Sequence, residues 1–263
     1  LPQQPPGGGS GVAAVVADLG EEEQVRSAVG DAEAVVNLVG VVRAREERLA
    51  AVHVAGAARV ARLARAAGAS RLLHVSALGV AEDAPSAADR TKAEGEAAVR
   101  AAFPAVTIVR PSLIYGPGDH FFSRFAAMTR TAPVLPVIGG GRTRFQPMHI
   151  EDAAWTLQAL LERPETAGTT FALVGPEIFT FRELLERMLA TLGRRRLILP
   201  LPFPLAEALA AALERLPGSP LTREEVRLLQ TDKVADGLPT PAALGINARP
   251  LEQGLPAALS AAA

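Results

Sequence analysis

Arg142 and Arg144 follow the Gly139–Gly141 turn two residues apart, and guanidinium groups in a loop are suited to gripping an anion in two-pronged fashion. The alternative for both is an exposed arginine with no ligand. Ser76 closes the apolar run Arg71–Ser76, and Lys92 lies inside Ser86–Ala102; they supply a hydroxyl and an ammonium able to hold an oxygen atom. One helical turn before Lys92, position 88 is alanine, which carries no proton donor. The adjacent Asp89 is expected to face elsewhere, because neighbouring helix residues point about 100° apart. Tyr115 is the only tyrosine, and its place in a Tyr-Gly-Pro turn favours packing. His53, His74, His120 and His149 show no metal-ligand spacing, and the chain has no cysteine, so neither a metal site nor a disulfide is expected.

These groups must be placed by elements, which the apolar periodicity predicts. Val12–Ala17 reads as a buried strand closed by Asp18, Glu21–Val29 as a short helix, and Ala34–Val39 as a second strand ending at Gly40. Val52, Gly56, Val60, Leu63 and Ala67 recur at intervals of three and four, which predicts a helix that Gly68 ends. Strand Arg71–Ser76, helix Ser86–Ala102 and strand Val106–Arg110 follow. Strict alternation of helices with strands apolar throughout predicts an α/β fold built on a parallel sheet covered on both faces. Beyond Gly116 the pattern loosens into helices Phe121–Arg130 and His149–Leu161 and a strand Thr169–Val174. Thr180 with Glu183, and Thr222 with Glu225, form capping boxes that each open a further helix. Asp18 is suited to cap the helix at Glu21, and Gly40 lets the backbone pass close to a ligand.

The 263 residues are 49% hydrophobic with a net charge of −1, enough for one large core, or one large and one small. Near-neutrality argues against nucleic acid as a partner. No signal peptide opens the chain; Leu1–Gly11, rich in proline and glycine, reads as a flexible leader. Leu197–Leu213, the longest apolar stretch, contains Pro200, Pro202, Pro204 and Glu207 and is too broken to span a membrane. Leu205, Leu209, Leu213 and Leu216 predict an amphipathic helix packed on the protein, a membrane-lying helix being the alternative. Arg194–Arg196 reads as a solvated turn, with acidic lipid or an acidic partner as the other reading.

Several segments keep the order and spacing of a known family: VVNLVG (35–40), HVSALG (74–79), TKAEGEAAVRAAFP (91–104), IVRPSLIYGPGDHFFSRFAAM (108–128), RFQPMHIEDAA (144–154), FALVGPE (171–177), LPLPFPLA (199–206), LTREEVRLLQTDKV (221–234) and LGINARPLE (244–252). The chain resembles the extended short-chain dehydrogenases/reductases, and within them the atypical group containing the accessory Rossmann subunit of respiratory complex I and its bacterial relatives. The resemblance implies a Rossmann-like parallel sheet with a smaller C-terminal α/β lobe, and NAD(P)(H) as cofactor. It implies cofactor contacts from Asp18 and Leu19 at the adenine, and from Asn37, Leu38, Val39 and Gly40 at the ribose and pyrophosphate. At the nicotinamide end it implies Val75, Ser76, Lys92, Pro111, Ser112 and Leu113.

In that family a serine polarises the carbonyl, a lysine holds the ribose, and a tyrosine four residues before the lysine moves the proton. Ser76 and Lys92 match two of these; Ala88 stands in the tyrosine's place. The expected function is therefore an NAD(P)(H)-binding Rossmann protein of the complex I accessory type, not a competent dehydrogenase. Two alternatives stay open. One is an NAD(P)-dependent oxidoreductase or epimerase acting on a small carbonyl or nucleotide-linked substrate; the other is a cofactor-free interaction module. The resemblance further implies a protein partner in a respiratory-complex-like assembly. It implies a cytoplasmic location with peripheral contact to the inner membrane and no span.

The front of the chain departs from the family. A doubly wound fold opens with a strand, a G-x-x-G-x-x-G turn and a helix whose N-terminus receives the pyrophosphate. Gly7–Gly11 follows no strand and precedes a strand, so it fails that context test. The chain reads as an N-terminally incomplete member whose sheet lacks its first βαβ unit. The expected organisation is a leader (1–11), a truncated NAD(P)-binding domain (12–118, with segments returning from 145–175) and a smaller lobe (mainly 119–263). Val12–Ala17 is expected either to pair directly with Ala34–Val39 or to be a displaced, loosely held strand.

Overall fold

The computed structural model describes residues 13–216 and 219–260; the expected leader and Val12 lie outside them. Helices α1 (Glu22–Val29), α2 (Glu46–Ala50), α3 (Ala57–Ala66) and α4 (Ala87–Ala102) alternate with strands β1 (Ala34–Asn37), β2 (Arg71–Val75) and β3 (Thr107–Pro111). Then come β4 (Ile114–Tyr115), α5 (Phe122–Thr131), β5 (Val134–Ile138), β6 (Arg144–Phe145), β7 (Met148–His149) and α6 (Ile150–Glu162). The remaining elements are β8 (Thr170–Leu173), β9 (Phe179–Thr180), α7 (Phe181–Thr191), β10 (Leu197–Leu201), α8 (Phe203–Leu213), α9 (Arg223–Leu228) and α10 (Leu251–Ser260).

The main sheet is parallel throughout, in the order β1-β2-β3-β8, with Val35 opposite Leu72, His74 opposite Ile108 and Val109 opposite Phe171. Strand side chains alternate. Leu72 and Ile108 therefore pack with Ala57, Ala61 and Ala64 of α3 and Val99 of α4, while Leu73, Val109 and Phe171 pack with Ala153 and Leu160 of α6. Burial on both faces is why these strands carry no polar alternation. Gly95 sets the approach of α4: a Cβ there would lie 2.0 Å from the His53 carbonyl oxygen, in the π-helical turn Ala51–Gly56 that joins α2 to α3. A second core gathers Phe122, Leu135, Leu184, Leu185, Met188 and Leu255 beside the parallel pair β5–β10. Both predicted capping boxes form, at the starts of α7 and α9.

Val12–Ala17 is not the strand expected. Residues 13–17 join no ladder, and Val15 and Val16 are 62% and 79% exposed, so β1 is the edge of the sheet among the described residues. An extended segment gains from order only through ladder bonds and a covered face, and this one has neither. It is tied to α1 instead, where the Asp18 N–H donates to the Gln24 side chain at 2.9 Å. β1 also stops short of Val39, because Asn37 Oδ1 accepts the Val39 N–H and turns the chain.

Two C-terminal expectations change as well. In α8 the alanines, not the leucines, pack inward: Ala206 and Ala210 are fully buried against Ile138 and Val226, while Leu205 and Leu209 are exposed. Arg194 and Arg196 are not merely solvated. Arg194 donates to the Ala126 carbonyl and to Thr129 Oγ1, and Arg196 to the Thr129 carbonyl, placing cations over the last turns of α5.

Candidate functional site

A cleft of about 260 Å³ opens between the turn Ala17–Gly20 and the loop after β1, with Asp18 and Leu19 on one side and Val39 and Val41 on the other. The Asp18 carboxylate accepts the Gly20 N–H at 2.7 Å and makes no cap bond to α1, whose N-cap residue is Glu21. Leu19 packs on Gly56, and its carbonyl accepts from Arg59. Two imidazoles fix the loop Asn37–Val41. The Asn37 amide donates to His74 Nδ1 at 3.1 Å, and the Val41 N–H donates to His53 Nε2 at 3.1 Å. With Nε2 accepting, His53 Nδ1 is left to donate to Thr91 Oγ1 at 2.8 Å. Burial, reinforced by the nearby Lys92 charge, lowers both pKa values to about 4 and keeps the rings neutral. Leu38 and Val39 remain exposed beside this cleft.

The second group lies where β2, β3 and the N-terminal half of α4 meet. The Ser76 N–H is held by the Val109 carbonyl at 2.8 Å, and Ser76 Oγ is buried without a formed hydrogen bond. Val75, one residue earlier, turns to the α6 side of the sheet. Burial works to raise the Glu96 pKa. The two-pronged Arg110 guanidinium (2.8 and 2.7 Å), the nearby Ser76 hydroxyl and Arg100 outweigh it and hold the carboxyl below its usual range. Arg110 is thus an ion-pair partner.

Lys92 Nζ makes no hydrogen bond or close ion pair among the described residues. Burial lowers its pKa; Asp89 opposes the shift and Lys233 adds to it. Asp89 does not face away, as expected, but is buried beside this lysine, as spacing three apart on a helix allows. Its Oδ2 accepts from Lys233 Nζ at 2.7 Å while Oδ1 is buried without a partner, and burial raises its pKa against the pull of both lysines. Ala88 is fully buried, packed with Leu49 and bordered by Val41 and Leu228. The free N–H groups that open α4 are taken by Glu224 of α9, which accepts from Ser86 Oγ (2.7 Å), the Ala88 N–H (2.6 Å) and the Ala87 N–H (3.3 Å).

Further along, Pro111 sits opposite Leu173, and Leu113 packs on the second core. Ser112 Oγ donates to the Lys233 carbonyl at 2.6 Å and accepts the Gln146 N–H at 2.9 Å, so this hydroxyl is engaged within the protein. Tyr115 is buried edge-on to Phe122 and His149, and burial pushes its phenol up to about 12, in keeping with a packing role. Arg142 and Arg144 do not act together. Arg144 is clamped by Asp232 through its backbone N–H and its Nε, both at 2.8 Å. Arg142 is exposed without a partner among the described residues, at a cleft of about 640 Å³ lined by Gly139, Gly140, Pro200, Pro202 and Phe203. No cluster of three metal-ligating side chains occurs among the described residues.

Glu224 and Lys233 lie in the segment 221–234 but were not singled out as site residues. Local signals identified the capping box that starts α9, but nothing local says which helix Glu224 then faces, 136 residues away.

Residues 4–174 match the family described as NAD dependent epimerase/dehydratase. The chain is 35% identical to the NADH dehydrogenase (ubiquinone) 1 alpha subcomplex subunit 9, mitochondrial, of Arabidopsis thaliana, over 74% of this chain and 49% of that protein. It is 33% identical to a ceramide reductase of Caulobacter vibrioides, over 87% of this chain and 76% of that protein. The chain thus spans about half the length of the Arabidopsis relative. Among solved structures, the UDP-glucose 4-epimerase of Thermotoga maritima with UDP-glucose aligns with a TM-score of 0.69 at 15% identity, covering 92% of this chain and 82% of that one. RMD of Pseudomonas aeruginosa complexed with NADPH aligns with a TM-score of 0.65 at 19% identity, covering 94% and 86%. These structural likenesses share the α/β fold with its parallel sheet. With the family match extending over more than half of its residues, the chain belongs to the NAD dependent epimerase/dehydratase family.

Proposed function

We propose that this chain is an NAD(P)(H)-binding Rossmann protein of the complex I accessory-subunit type, whose cofactor has a structural or sensing role. The observation that carries the reading is the closure around Ala88: the place of a proton-donating phenol is packed by Leu49 and bordered by Leu228, and Glu224 holds the helix end beside it. The polar groups left over suit a dinucleotide. Lys92 has no hydrogen bond or close ion pair among the described residues and would hold the nicotinamide ribose; Ser76 Oγ is buried beside the Glu96 carboxylate without a formed hydrogen bond. Asp18 and Leu19 would meet the adenine, Asn37–Gly40 the ribose and pyrophosphate, and Pro111–Leu113 the nicotinamide. NAD(P)H, when bound, would carry a transferable hydride, and these residues would hold it in position without a tyrosine to deliver the proton. The proposed partner is a respiratory-complex-like assembly, in keeping with the printed name of the Arabidopsis relative.

No helix among the described residues opens on a glycine-rich turn after a strand, so these residues do not offer the pyrophosphate the backbone donors and about half a unit of positive charge of a helix N-terminus. Binding of NADPH to residues 1–263 is therefore expected to be weaker than micromolar, with no carbonyl-dependent NADPH oxidation. Calorimetry and a single-turnover absorbance assay check both. Robust turnover by the unaltered chain would sink the reading. It would favour a second one, in which the buried pair Asp89–Lys233 beside Lys92 moves the proton in a reductase like the Caulobacter relative. Lys233→Met would then abolish turnover.

A further inference from the structure

We infer that the outer side of α8 docks this protein on an anionic lipid surface. The helix is apolar all round except for Glu207, and such a helix is ordinarily buried. Here only one side is. Ala206 and Ala210 are fully buried, while Leu205, Ala208, Leu209 and Ala212 are exposed, at the spacing of one continuous stripe without a charge or hydroxyl. A helix meant only to pack on its own protein would put the leucines inside and the alanines outside. Leu197 and Leu199 of the preceding β10 are 63% and 53% exposed, and Leu216 just past the helix is 58% exposed.

Charge selects the occupant. Both carboxylates of the segment are engaged within the protein: Glu207 accepts a hydrogen bond from the Gln230 amide and faces Arg227 at 4.0 Å, and Glu214 pairs with Arg223 at 2.8 Å. The side chains of Arg195, before β10, and Arg215, beyond α8, are exposed and without a partner among the described residues. Leucines between unpaired cations fit acyl chains below anionic headgroups. The geometry is that of an element lying in the interface, since no helix among the described residues is long and apolar enough to cross a membrane.

The test is co-sedimentation of the full chain with vesicles of phosphatidylcholine alone and of phosphatidylcholine mixed with phosphatidylglycerol. Binding is expected to the mixed vesicles, weakening with added salt. Arg195→Glu with Arg215→Glu should reduce partitioning roughly tenfold or more, and Leu205→Glu with Leu209→Glu should abolish it even at low salt. All four side chains are exposed, so melting curves should be retained, and the arginine pair keeps the test valid if the leucine pair fails to fold. Equal binding to neutral vesicles, no binding, or indifference to the arginine changes would overturn the inference. So would self-association in sedimentation velocity that the leucine changes relieve without any vesicle binding, which assigns the face to a second copy. NADPH affinity measured on the same variants should not move, so failure here is separable from failure of the cofactor reading.

Discussion

Ala88 occupies a position whose surroundings have closed around a methyl group. Ala88→Tyr should therefore lower stability by about 1–3 kcal/mol, the usual range for overpacking, because the phenol must displace Leu49 or its neighbours. It should not by itself yield carbonyl reduction. Thermal melts and an NADPH-oxidation assay check this, and a variant as stable as its parent and active would contradict it. His53 and His74 carry a second expectation. Their folded pKa values lie near 4 against 6.5 for the free side chain, so below pH 6.5 the unfolded chain takes up protons that the folded chain refuses. Their stabilisation is present above pH 6.5 and is lost as pH falls toward 4, approaching about 1.4 kcal/mol per pH unit for each ring. Asp89, raised by burial, opposes this by holding its proton in the folded state. Denaturant titrations between pH 7 and pH 5 should show the loss, and His74→Gln should reduce the slope. The places of Ser76 just past β2 and of Lys92 on α4 were legible because each element has a local signal. Lys233 was not, since its partner Asp89 lies 144 residues away and only the fold brings them together.

The helix α4 runs from the sheet to α9. Its last turns face α3 and the sheet, and its first turn is closed by Glu224 from α9. Glu224→Ala removes a charged acceptor from three donors and should cost about 1–3 kcal/mol, read as a lower denaturant midpoint with an unchanged slope. An unshifted midpoint would mean that water replaces the cap. Elements with local signals were readable from sequence: the two capping boxes, the apolar runs of β2 and β3, and the glycine ends. The segment 13–17 was not, because its apolar run says strand while its ladder partners are a property of the whole sheet. The direction of α8 was misread for a related reason. Leucine periodicity marks a face but does not say whether protein or another medium covers it.

At the scale of the molecule, the alternation of strand and helix identified a parallel sheet: β1, β2 and β3 lie side by side in chain order, and β8 joins them only after the chain has passed through β4–β7, α5 and α6. Among the described residues the same order leaves β1 with an unpaired side, and this has a consequence for how residues 1–263 survive in solution. The strand reads Ala-Val-Val-Asn, with no proline, lysine or bulge to discourage a foreign strand from adding to it. Heating should then be a race between unfolding and clumping. The apparent melting temperature is expected to fall with protein concentration and with slower scan rate, and recovery on cooling to be incomplete. Ala34→Lys, at an exposed position on that strand, should slow the loss of soluble protein while leaving the denaturant midpoint in place. Light scattering at a fixed temperature reads the difference directly. If scattering grows at the same rate in both proteins, the nucleus of aggregation lies elsewhere, and the open strand is shielded in a way its sequence does not reveal.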